Sequence, residues 1–260
     1  MKQSYIAENW VAYKTIVIRE VLRFSRIWVQ TITPPAINAF LYLVIFGNLI
    51  GREIGEMGGE RYIDYIVPGI IMMSVITNSY ANVVSSFYSA KFQHSIEELL
   101  ISPVHNAVIL IGYVSGGVCR GLVVGLVVTL VSLFFTRLPV QHLGVTLAIA
   151  LLTSALFAIG GFLNAVFAKS FDDITIIPNF VLTPLTYLGG IFYSIELLPE
   201  FWQQASLFNP VLYMINGFRY GFLGTADIGI GWAFAVILTF IAIFGSIALQ
   251  LLNRGVGIKH

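Results

Sequence analysis

Six long apolar stretches, separated by shorter polar segments, form the main pattern of this chain. The length of each is close to that of a transmembrane helix, which needs about 20 residues to cross the ~30 Å hydrocarbon core of a membrane. Alternating β-barrel strands are not visible, so helices are left as the structure that satisfies backbone hydrogen bonds in lipid. The pattern predicts an all-α, polytopic membrane protein with six transmembrane helices. The predicted spans are Thr33–Ile50, Ile66–Tyr88, Ser115–Phe135, Leu143–Phe167, Ile174–Phe192 and Gly231–Leu252.

The composition supports this assignment. Hydrophobic residues make up 57% of the chain and charged residues 10%, and the mean hydropathy is +0.86. A soluble domain of this length could not bury so much apolar surface. Pro178 and Pro184 interrupt the fifth span, but spanning helices tolerate prolines when neighbouring helices cover the freed carbonyl groups.

Lysine and arginine are distributed unevenly between the two ends of the predicted spans. Nine lie on the side that carries both termini, and four lie on the opposite side. Because positive residues accumulate on the cytoplasmic side, both termini are expected in the cytoplasm. The nine are Lys2, Lys14, Arg19, Arg23, Arg26, Lys91, Lys169, Arg254 and Lys259, and the four are Arg52, Arg61, Arg137 and Arg219.

Charge and cysteine content exclude several other classes. The net charge is +1, and no basic patch interleaved with aromatic residues indicates a nucleic-acid partner. The single cysteine, Cys119, lies within a span and excludes an intrachain disulfide framework. Charged residues such as Glu8 and Lys14 occupy the place where the apolar run of a cleavable signal would lie.

Residues 1–32 are predicted to form an amphipathic helix in the cytoplasmic membrane interface, ahead of a membrane domain at 33–252 and a cytoplasmic tail at 253–260. Its apolar face would lie among headgroups and its arginines toward phosphate and water. Pro34 and Pro35 are expected to break the chain before the first span. The helix is either an anchor only or also a docking site for a cytoplasmic partner. The apolar face holds Trp10, Tyr13, Val17, Val21, Phe24 and Trp28, and the polar face holds Arg19, Arg23, Arg26 and Gln30.

The first cytoplasmic loop predicts a short helix. Ser95 followed by Glu98 is a capping-box signature, so a helix should start near Ile96 and end before Pro103. So short a helix is unstable alone and must pack against this bundle or a separate protein. Glu97 and Glu98 either form a solvated face or belong to a contact surface.

Glycines mark the third span as a packing surface. Gly117, Gly121 and Gly125 follow each other at four-residue steps, with Gly112 and Gly116 just before them. Small residues at this spacing let membrane helices approach closely, so tight packing inside the bundle is favoured over self-association.

A charged residue lies among these glycines. Arg120 should either extend toward the cytoplasmic surface or meet an acceptor, because a central arginine costs about 2.5–3.5 kcal/mol on insertion scales. We favour the first of these.

Uncharged polar residues at membrane depth are expected to join helices rather than bind substrate. No predicted span carries an acidic residue, which disfavours a carrier driven by protons or sodium. These polar residues are Asn164, Asn179, Thr183 and Thr186.

The segment before the last span predicts two short helices. The first covers about Pro199–Phe208, and the second covers Pro210–Leu223, with Asn209 as its N-cap and Gly224 as its stop signal. The second is about 21 Å long, which is too short to cross a membrane. A re-entrant pair dipping into the outer leaflet fits best, serving either as a lid or as an extracytoplasmic gate.

An enzymatic reading finds little support. His94, His105 and His142 lie in or beside loops, without a serine or carboxylate at useful spacing, and His260 is terminal. The chain shows no triad, no metal-ligand spacing and no paired acids for a hydrolase or acyltransferase. No Gly-Lys pair is present, so a phosphate-binding loop of the standard form is absent too.

The chain resembles the permease subunits of type-two ATP-binding-cassette exporters, a group that includes polysaccharide, nodulation-factor and drug exporters and ABCG half-transporters. The likeness extends over the whole chain and is specific. One part is the run from Ile96 to Pro103, which is similar to the coupling-helix region of that family. The other part is the tract Pro184-Leu-Thr-Tyr-Leu-Gly-Gly-Ile-Phe-Tyr-Ser, followed by Leu198-Pro199, Phe201-Trp202, Asn209-Pro210, Tyr213 and Phe218-Arg219.

The resemblance implies a homodimer of six-span subunits in the bacterial inner membrane, each with a cytoplasmic ATPase that binds ATP and Mg. This chain would hold no cofactor or metal and would export a lipid-linked, polysaccharide or amphipathic cargo. The alternative is a secondary transporter or channel that needs no ATPase. The implied ATPase-coupling residues are Arg19, Arg23, Ile96, Glu97, Glu98, Leu99, Leu100 and Pro103. The implied path or gate residues are Asn78, Asn179, Pro184, Phe192, Asn209, Pro210 and Arg219.

Overall fold

The computed structural model describes residues 2–96 and 103–257, which form an all-α polytopic membrane fold. The α-helices are α1 (Lys2–Arg26), α2 (Trp28–Tyr42), α3 (Gly51–Ile54), α4 (Tyr62–Phe92), α5 (Asn106–Ser132), α6 (Leu143–Phe167), α7 (Asp173–Ile177), α8 (Thr183–Tyr187), α9 (Glu200–Leu207), α10 (Pro210–Leu223) and α11 (Ile230–Arg254). Two π-helical segments, Leu43–Ile50 and Pro178–Leu182, join α2 to α3 and α7 to α8. A hairpin of β1 (Glu56–Met57) and β2 (Glu60–Arg61) and a 3-10 turn (Ile195–Leu197) complete the elements.

Five helices of the described residues are long and apolar enough to cross a membrane: Trp28–Ile54, Tyr62–Phe92, Asn106–Ser132, Leu143–Phe167 and Ile230–Arg254. They correspond to five of the six predicted spans. The remaining one, predicted at Ile174–Phe192, is a bent helix made of α7, the second π segment and α8, here called helix 173–187. It is about 22 Å long, shorter than a full crossing, so the count of six spans stays a prediction.

The expected chain break at Pro34 and Pro35 is wrong. Both prolines lie inside α2, and the break falls at Ile27, whose φ of −108° and ψ of 34° are not helical. The first spanning helix therefore begins at Trp28, ahead of the predicted Thr33. In lipid a helix accommodates proline because an open backbone would leave more groups without partners.

The N-terminal helix α1 is oriented differently from the prediction. Its outward face carries Val11, Ile18 and Leu22, which are exposed, while Glu20 is fully buried against the bundle. Arg23, expected to reach water, hydrogen-bonds to the bundle instead. An amphipathic pattern alone predicts that charged side chains face water. Here polar partners on the neighbouring helices replace the hydration that Glu20 and Arg23 lose.

The central helix of the bundle is α4, which packs against α5, α6 and α10. The glycines of α5 allow this packing, as predicted. A Cβ placed on Gly117 would lie 2.6 Å from Val83 Cγ2 and 2.9 Å from Ala158 Cβ, and one on Gly125 would lie 2.6 Å from Val75 Cγ2. Only glycine lets the three helices approach to this distance.

The α1 helix also packs closely against glycines of α5. A Cβ on Gly112 would lie 2.8 Å from Ile16 Cγ2, and one on Gly116 would lie 2.5 Å from Glu20 Cβ. Helix α5 is thus packed tightly against α4 along one part of its surface and against α1 along another.

The start of helix 173–187 is fixed by a capping box. The Ser170 hydroxyl accepts from the Asp173 amide at 3.2 Å, and the Asp173 carboxylate accepts from the amides of Ser170 (3.1 Å) and Lys169 (2.8 Å). These donors hold the pKa of Asp173 below its usual value.

The two short helices predicted before the last span are present as α9 and α10. Asn209 caps α10 by accepting from the Val211 amide at 3.0 Å, and Gly224 ends it with a φ of 74°. Their dip into the outer leaflet remains a prediction.

We expect Gly117→Leu to lower the free energy of unfolding by roughly 1–3 kcal/mol, because the added side chain overpacks the contact between α4, α5 and α6. The matched control is Gly144→Leu, since a Cβ at Gly144 meets nothing within 4 Å. Denaturant unfolding of both variants in detergent measures the difference. Equal stability of the two would contradict the packing role of Gly117.

Candidate functional site

A buried carboxylate joins the N-terminal helix to the bundle. Ser86 donates to Glu20 Oε1 at 2.5 Å, and the Asn82 amide donates to Glu20 Oε2 at 3.3 Å. Glu20 has no exposed surface, and a buried carboxylate needs such donors because its desolvation costs several kcal/mol. These contacts fix α1 against α4 at one level.

The two predicted coupling arginines of α1 lie at the same junction. Arg23 donates to the Asn82 carbonyl at 2.9 Å and to Asn82 Oδ1 at 2.8 Å, and it lies 3.3 Å from Glu20 Oε2. Arg19 donates to the Tyr113 hydroxyl at 2.5 Å. Both therefore contact the spans directly.

The predicted coupling helix is described only at its ends. Ser95 and Ile96 are helical, in agreement with the predicted start, and Ile96 is buried. The Ser95 hydroxyl donates to the Ala90 carbonyl at 3.1 Å, and Pro103 is exposed. Glu97, Glu98, Leu99 and Leu100, and with them the predicted capping box, lie outside the described residues.

A basic cavity of about 440 Å³ lies between α1 and the end of α4 that leads to this helix. Arg19, Arg23 and Arg26 line it, together with Ser89 and Gln93. It is a recess with several hydrogen-bond donors.

A polar stripe runs along α4 from this junction toward mid-membrane. Ser74, Asn78, Asn82 and Ser86 follow each other at four-residue steps, which places them on one helix face. The Asn78 amide donates to the Ser74 carbonyl at 3.0 Å, and its Oδ1 accepts from Arg120 at 3.3 Å. The stripe connects the Glu20 junction to the middle of the bundle.

Arg120 lies near the middle of α5, about 21 Å along the helix from its start at Asn106. The favoured expectation that it reaches the cytoplasmic surface is wrong, because it donates to Asn78 instead. In the described part of the chain no carboxylate forms an ion pair with it, and its Nε is buried without a hydrogen-bond partner. Arg120 is thus a mid-membrane cation with one long hydrogen bond.

Asn78 also lines a groove of about 220 Å³ between α2 and α4. Polar side chains of α2, Gln30 and Asn38, face the same groove, as do Tyr42 and Thr77. Gln30 and Asn38 are exposed at the surface of the first spanning helix. A polar groove within an apolar span is unfavourable against lipid.

Helix 173–187 presents a second exposed polar surface. Asn179, Thr183 and Pro184 are exposed. The prediction that its polar residues join helices fails for the threonines: Thr183 donates to the Pro178 carbonyl and Thr186 to the Leu182 carbonyl, both within their own helix. Asn164 of α6 does reach a neighbouring segment, donating to the Ile174 carbonyl at 3.3 Å.

Phe192 belongs to an aromatic cluster that links the first spanning helix to the end of helix 173–187. Its ring centroid lies 4.5 Å from Phe46, 5.7 Å from Tyr42 and 6.0 Å from Tyr187. The hydroxyls of Tyr42 and Tyr187 are 2.6 Å apart. The cluster therefore closes one end of the region between these helices.

Arg219 is buried at the opposite end of the bundle from the Glu20 junction. It donates to the Gly190 carbonyl at 2.6 Å and to the Tyr65 carbonyl at 3.3 Å, and its guanidinium lies 3.7 Å from the centre of the Tyr65 ring. Asp227 accepts from the Tyr65 hydroxyl at 3.2 Å and from Ser194 at 3.1 Å. This network joins α4, α10 and the two adjacent loops.

The last two predicted gate residues stand where α10 meets helix 173–187. The Asn209 amide donates to the Leu185 carbonyl at 2.7 Å while its oxygen caps α10. Pro210 occupies the first turn of α10 and lines an apolar cavity behind that helix.

The histidines are apart from one another and have structural contacts. His105 caps α5 by accepting from the Ala107 amide, and His142 stacks on Tyr220. His94 is at a turn with a φ of 57°. Across residues 2–96 and 103–257, no group of His, Cys, Asp and Glu side chains could hold a metal ion.

The predicted residues thus lie in several separate places rather than in one site. Arg19 and Arg23 are at the Glu20 junction, Asn78 is in the groove, and Arg219 is in the network with Tyr65 and Asp227, here called the Arg219 network. The others lie along or beside helix 173–187: Asn179, Pro184, Phe192, Asn209 and Pro210. Sequence reasoning missed Glu20, Asn82 and Tyr113. The four-residue spacing of polar residues in the second span was a signal for the stripe, but no local pattern revealed that Glu20 faces inward.

Residues 11–223 match the family whose model is described as ABC-2 type transporter. The chain is 58% identical over 251 residues to the inner membrane transport permease YadH of Escherichia coli K12, which covers 96% of this chain and 98% of that protein. It is 22% identical over 247 residues to nodulation protein J of Rhizobium leguminosarum bv. viciae, covering 95% of this chain and 94% of that protein.

We expect Glu20→Ala to detach α1 from the spans, because it removes the acceptor of Ser86, Asn82 and Arg23. The loss of such bonds to a charged group should lower the free energy of unfolding by roughly 1.5–3 kcal/mol. Limited proteolysis should then cleave near Ile27 faster than in the parent protein. Lys14→Ala, on the exposed side of α1, is the control, and equal cleavage rates in the two variants would count against the anchoring role.

Proposed function

Since the chain belongs to the ABC-2 type transporter family, we propose that it is the membrane-spanning permease subunit of an exporter driven by a separate cytoplasmic ATPase. ATP and Mg would be bound by that partner. The name of the Escherichia coli relative supports an inner-membrane location. We propose that both termini lie in the cytoplasm, because of the uneven distribution of lysine and arginine. The cargo class we propose is lipid-linked, polysaccharide or amphipathic.

The observation that carries this proposal is the polar stripe of α4, which leads from the Glu20 junction to the groove at Asn78. A stripe of this kind places the proposed ATPase contact and the proposed cargo path on one helix. Motion imposed at the cytoplasmic junction reaches the groove without an intervening flexible segment.

The exposed polar residues support a second copy of the chain as partner. Gln30 and Asn38 on the first spanning helix and Asn179 and Thr183 on helix 173–187 would be costly against lipid. In a homodimer these surfaces face each other and line a path that water and cargo can enter. The cost of exposing them to lipid is then removed.

The coupling step follows from the cytoplasmic geometry. The ATPase would contact the helix that begins at Ser95 and the basic recess at Arg19, Arg23 and Arg26. ATP binding closes the two ATPase subunits and pushes on these helices. Because α1 is fixed to α4 through Glu20, the second and fifth spans then rearrange at the dimer axis and expose the path alternately to the two sides.

At the other side, α9 and α10 would act as the extracytoplasmic gate. Arg219 ties α10 to α4 through Tyr65 and to the preceding loop through Gly190. Release of cargo then requires α10 to move with α4 or these bonds to break. The gate is thereby coupled to the same central helix.

The alternative is a channel or secondary carrier. Arg120 gives this reading one argument, because a mid-membrane cation can belong to an ion pathway. Reconstitution decides between them: the purified chain in vesicles, with and without its ATPase and ATP. Cargo movement in the absence of ATPase would overturn the proposal, and capture of a cytosolic ATPase by the full chain would support it.

We expect the double variant Glu97→Lys, Glu98→Lys to uncouple ATP hydrolysis from export while membrane insertion stays intact, because charge reversal disrupts a charged contact surface. ATPase activity and cargo export are measured on the reconstituted complex. The control is Glu56→Lys, on the hairpin at the opposite end of α4. Full export by the double variant would refute the coupling role.

We expect single cysteines introduced at Asn38 and Asn179, in a Cys119→Ala background, to react with a membrane-impermeant thiol reagent, since a polar path admits water. A cysteine at Leu126, exposed on α5, faces lipid and should react at least about tenfold more slowly, because thiolate formation requires water. Labelling rates in vesicles measure this. Similar rates at all three positions would argue against a path along Asn38 and Asn179.

A further inference from the structure

An apolar cavity of about 430 Å³ lies behind helix 173–187, away from its exposed polar residues. It is enclosed by α6, helix 173–187, the start of α10 and the middle of α11. Leu156, Leu163, Val181, Leu185, Met214 and Phe240 are among the side chains that line it. Neither the groove at Asn78 nor the Arg219 network uses this space.

One corner of the cavity is polar. Tyr80 is 3% exposed, and its hydroxyl makes no hydrogen bond of normal geometry within the described part of the chain. Among the residues that the structure describes, Asn164 is the one polar side chain close enough to interact with it, and the Asn164 amide also donates to the Ile174 carbonyl. A buried hydroxyl without a well-formed bond can be satisfied by a bound molecule that carries an acceptor.

Water is a poor occupant of this space. A buried water needs two to four polar partners, and Tyr80 and Asn164 lie together at one end of an otherwise apolar lining. An empty space of this size is also unfavourable, because its lining loses dispersion contacts and protein interiors hold few such voids. An apolar molecule satisfies both constraints.

The position of the cavity identifies the source of that molecule. Phe167 and Val181 line it and are exposed, so it opens on the surface that lipid covers. Along α6 the lining extends from Leu156 to Phe167, about 16 Å, which is close to the depth of one leaflet of the ~30 Å hydrocarbon core. Tyr80 and Asn164 lie near the end of the cavity formed by the last turn of α6.

We propose that this cavity binds one acyl chain of a membrane phospholipid, whose ester carbonyl accepts a hydrogen bond from the Tyr80 hydroxyl. The chain enters from the leaflet on the side of Phe167 and fills the apolar lining toward Pro210. The lipid headgroup would lie at the membrane surface, at the level of the last turn of α6. Lys91 lies at this level, where it donates to the Val166 and Ala168 carbonyls.

The bound chain supports helix 173–187 from behind. Ile177, Val181 and Leu185 of this helix line the cavity, while Asn179 and Thr183 are exposed on other faces. The helix is short and bent, and the acyl chain supplies the packing that α6 and α11 leave open. Its position therefore depends on a component of the membrane.

Photocrosslinking tests the site. The purified full chain is reconstituted in vesicles of phosphatidylethanolamine and phosphatidylglycerol with a trace of phosphatidylcholine that carries a diazirine in its acyl chain. After irradiation, adducts are mapped by mass spectrometry. We expect adducts to concentrate on residues 156–164 and 177–185, above the level at Leu126 and Leu130, which are exposed on α5.

Gly160→Leu places a side chain in the cavity beside Tyr80 and should reduce these adducts about tenfold, because the leucine and the acyl chain cannot occupy the same space. A Cβ at Gly160 would lie 3.8 Å from the Tyr80 ring, an ordinary contact, so the backbone can accept a side chain. The matched control is Gly245→Leu on α11, where a Cβ meets nothing within 4 Å. Tyr80→Phe, which removes only the hydroxyl, should reduce the adducts about three- to fivefold, the worth of one hydrogen bond.

The measurement needs no ATPase, so its result is independent of the proposed transport function. Adducts that fall with Gly160→Leu and Tyr80→Phe but not with Gly245→Leu support the site. Adducts no more frequent in the cavity than at Leu126, or unchanged in both cavity variants, overturn it. If Gly160→Leu fails to fold, the isosteric Tyr80→Phe decides.

Discussion

The burial of the Glu20 carboxylate is the constraint on which the rest of this molecule depends. A carboxylate removed from water is tolerated only when donors replace its hydration, and here Ser86, Asn82 and Arg23 supply them. The requirement fixes the rotation of α1, its height along α4, and the identity of the polar residues on α4. It also explains Gly116, since a side chain there would collide with Glu20.

From this junction the architecture follows one helix. Helix α4 carries the junction near one end, the groove at Asn78 in its middle and the Tyr65 contact with Arg219 near its other end. The glycines of α5 hold it in place from the side. The proposed ATPase contact, path and extracytoplasmic gate therefore all involve this one helix, which suits the proposal of a subunit whose energy comes from another protein.

Much of this was accessible from the sequence. Hydrophobic length located five spans, the glycine spacing predicted the packing of α5, and Asn209 and Gly224 marked both ends of α10, because these signals act over a few neighbouring residues. The errors concern non-local effects. Pro34 and Pro35 stay helical because unpaired backbone groups are unfavourable in lipid. Arg23 and Arg120 turn inward because they hydrogen-bond to Asn82 and Asn78 of α4. The distribution of apolar residues around one helix cannot reveal partners on another helix, so the predicted buried side of α1 was wrong.

The first spanning helix and helix 173–187, which carry the exposed polar residues Asn38 and Asn179, share a backbone feature that the remaining long helices of the described residues lack. Leu43–Ile50 in the first spanning helix and Pro178–Leu182 in helix 173–187 are π-helical. A π turn holds one residue more than an α turn, so its return to α geometry swivels everything beyond it by about 100°. Each of these two helices can thus change which side chains it presents beyond its π segment while it stays continuous, a rotary adjustment that needs no unfolding.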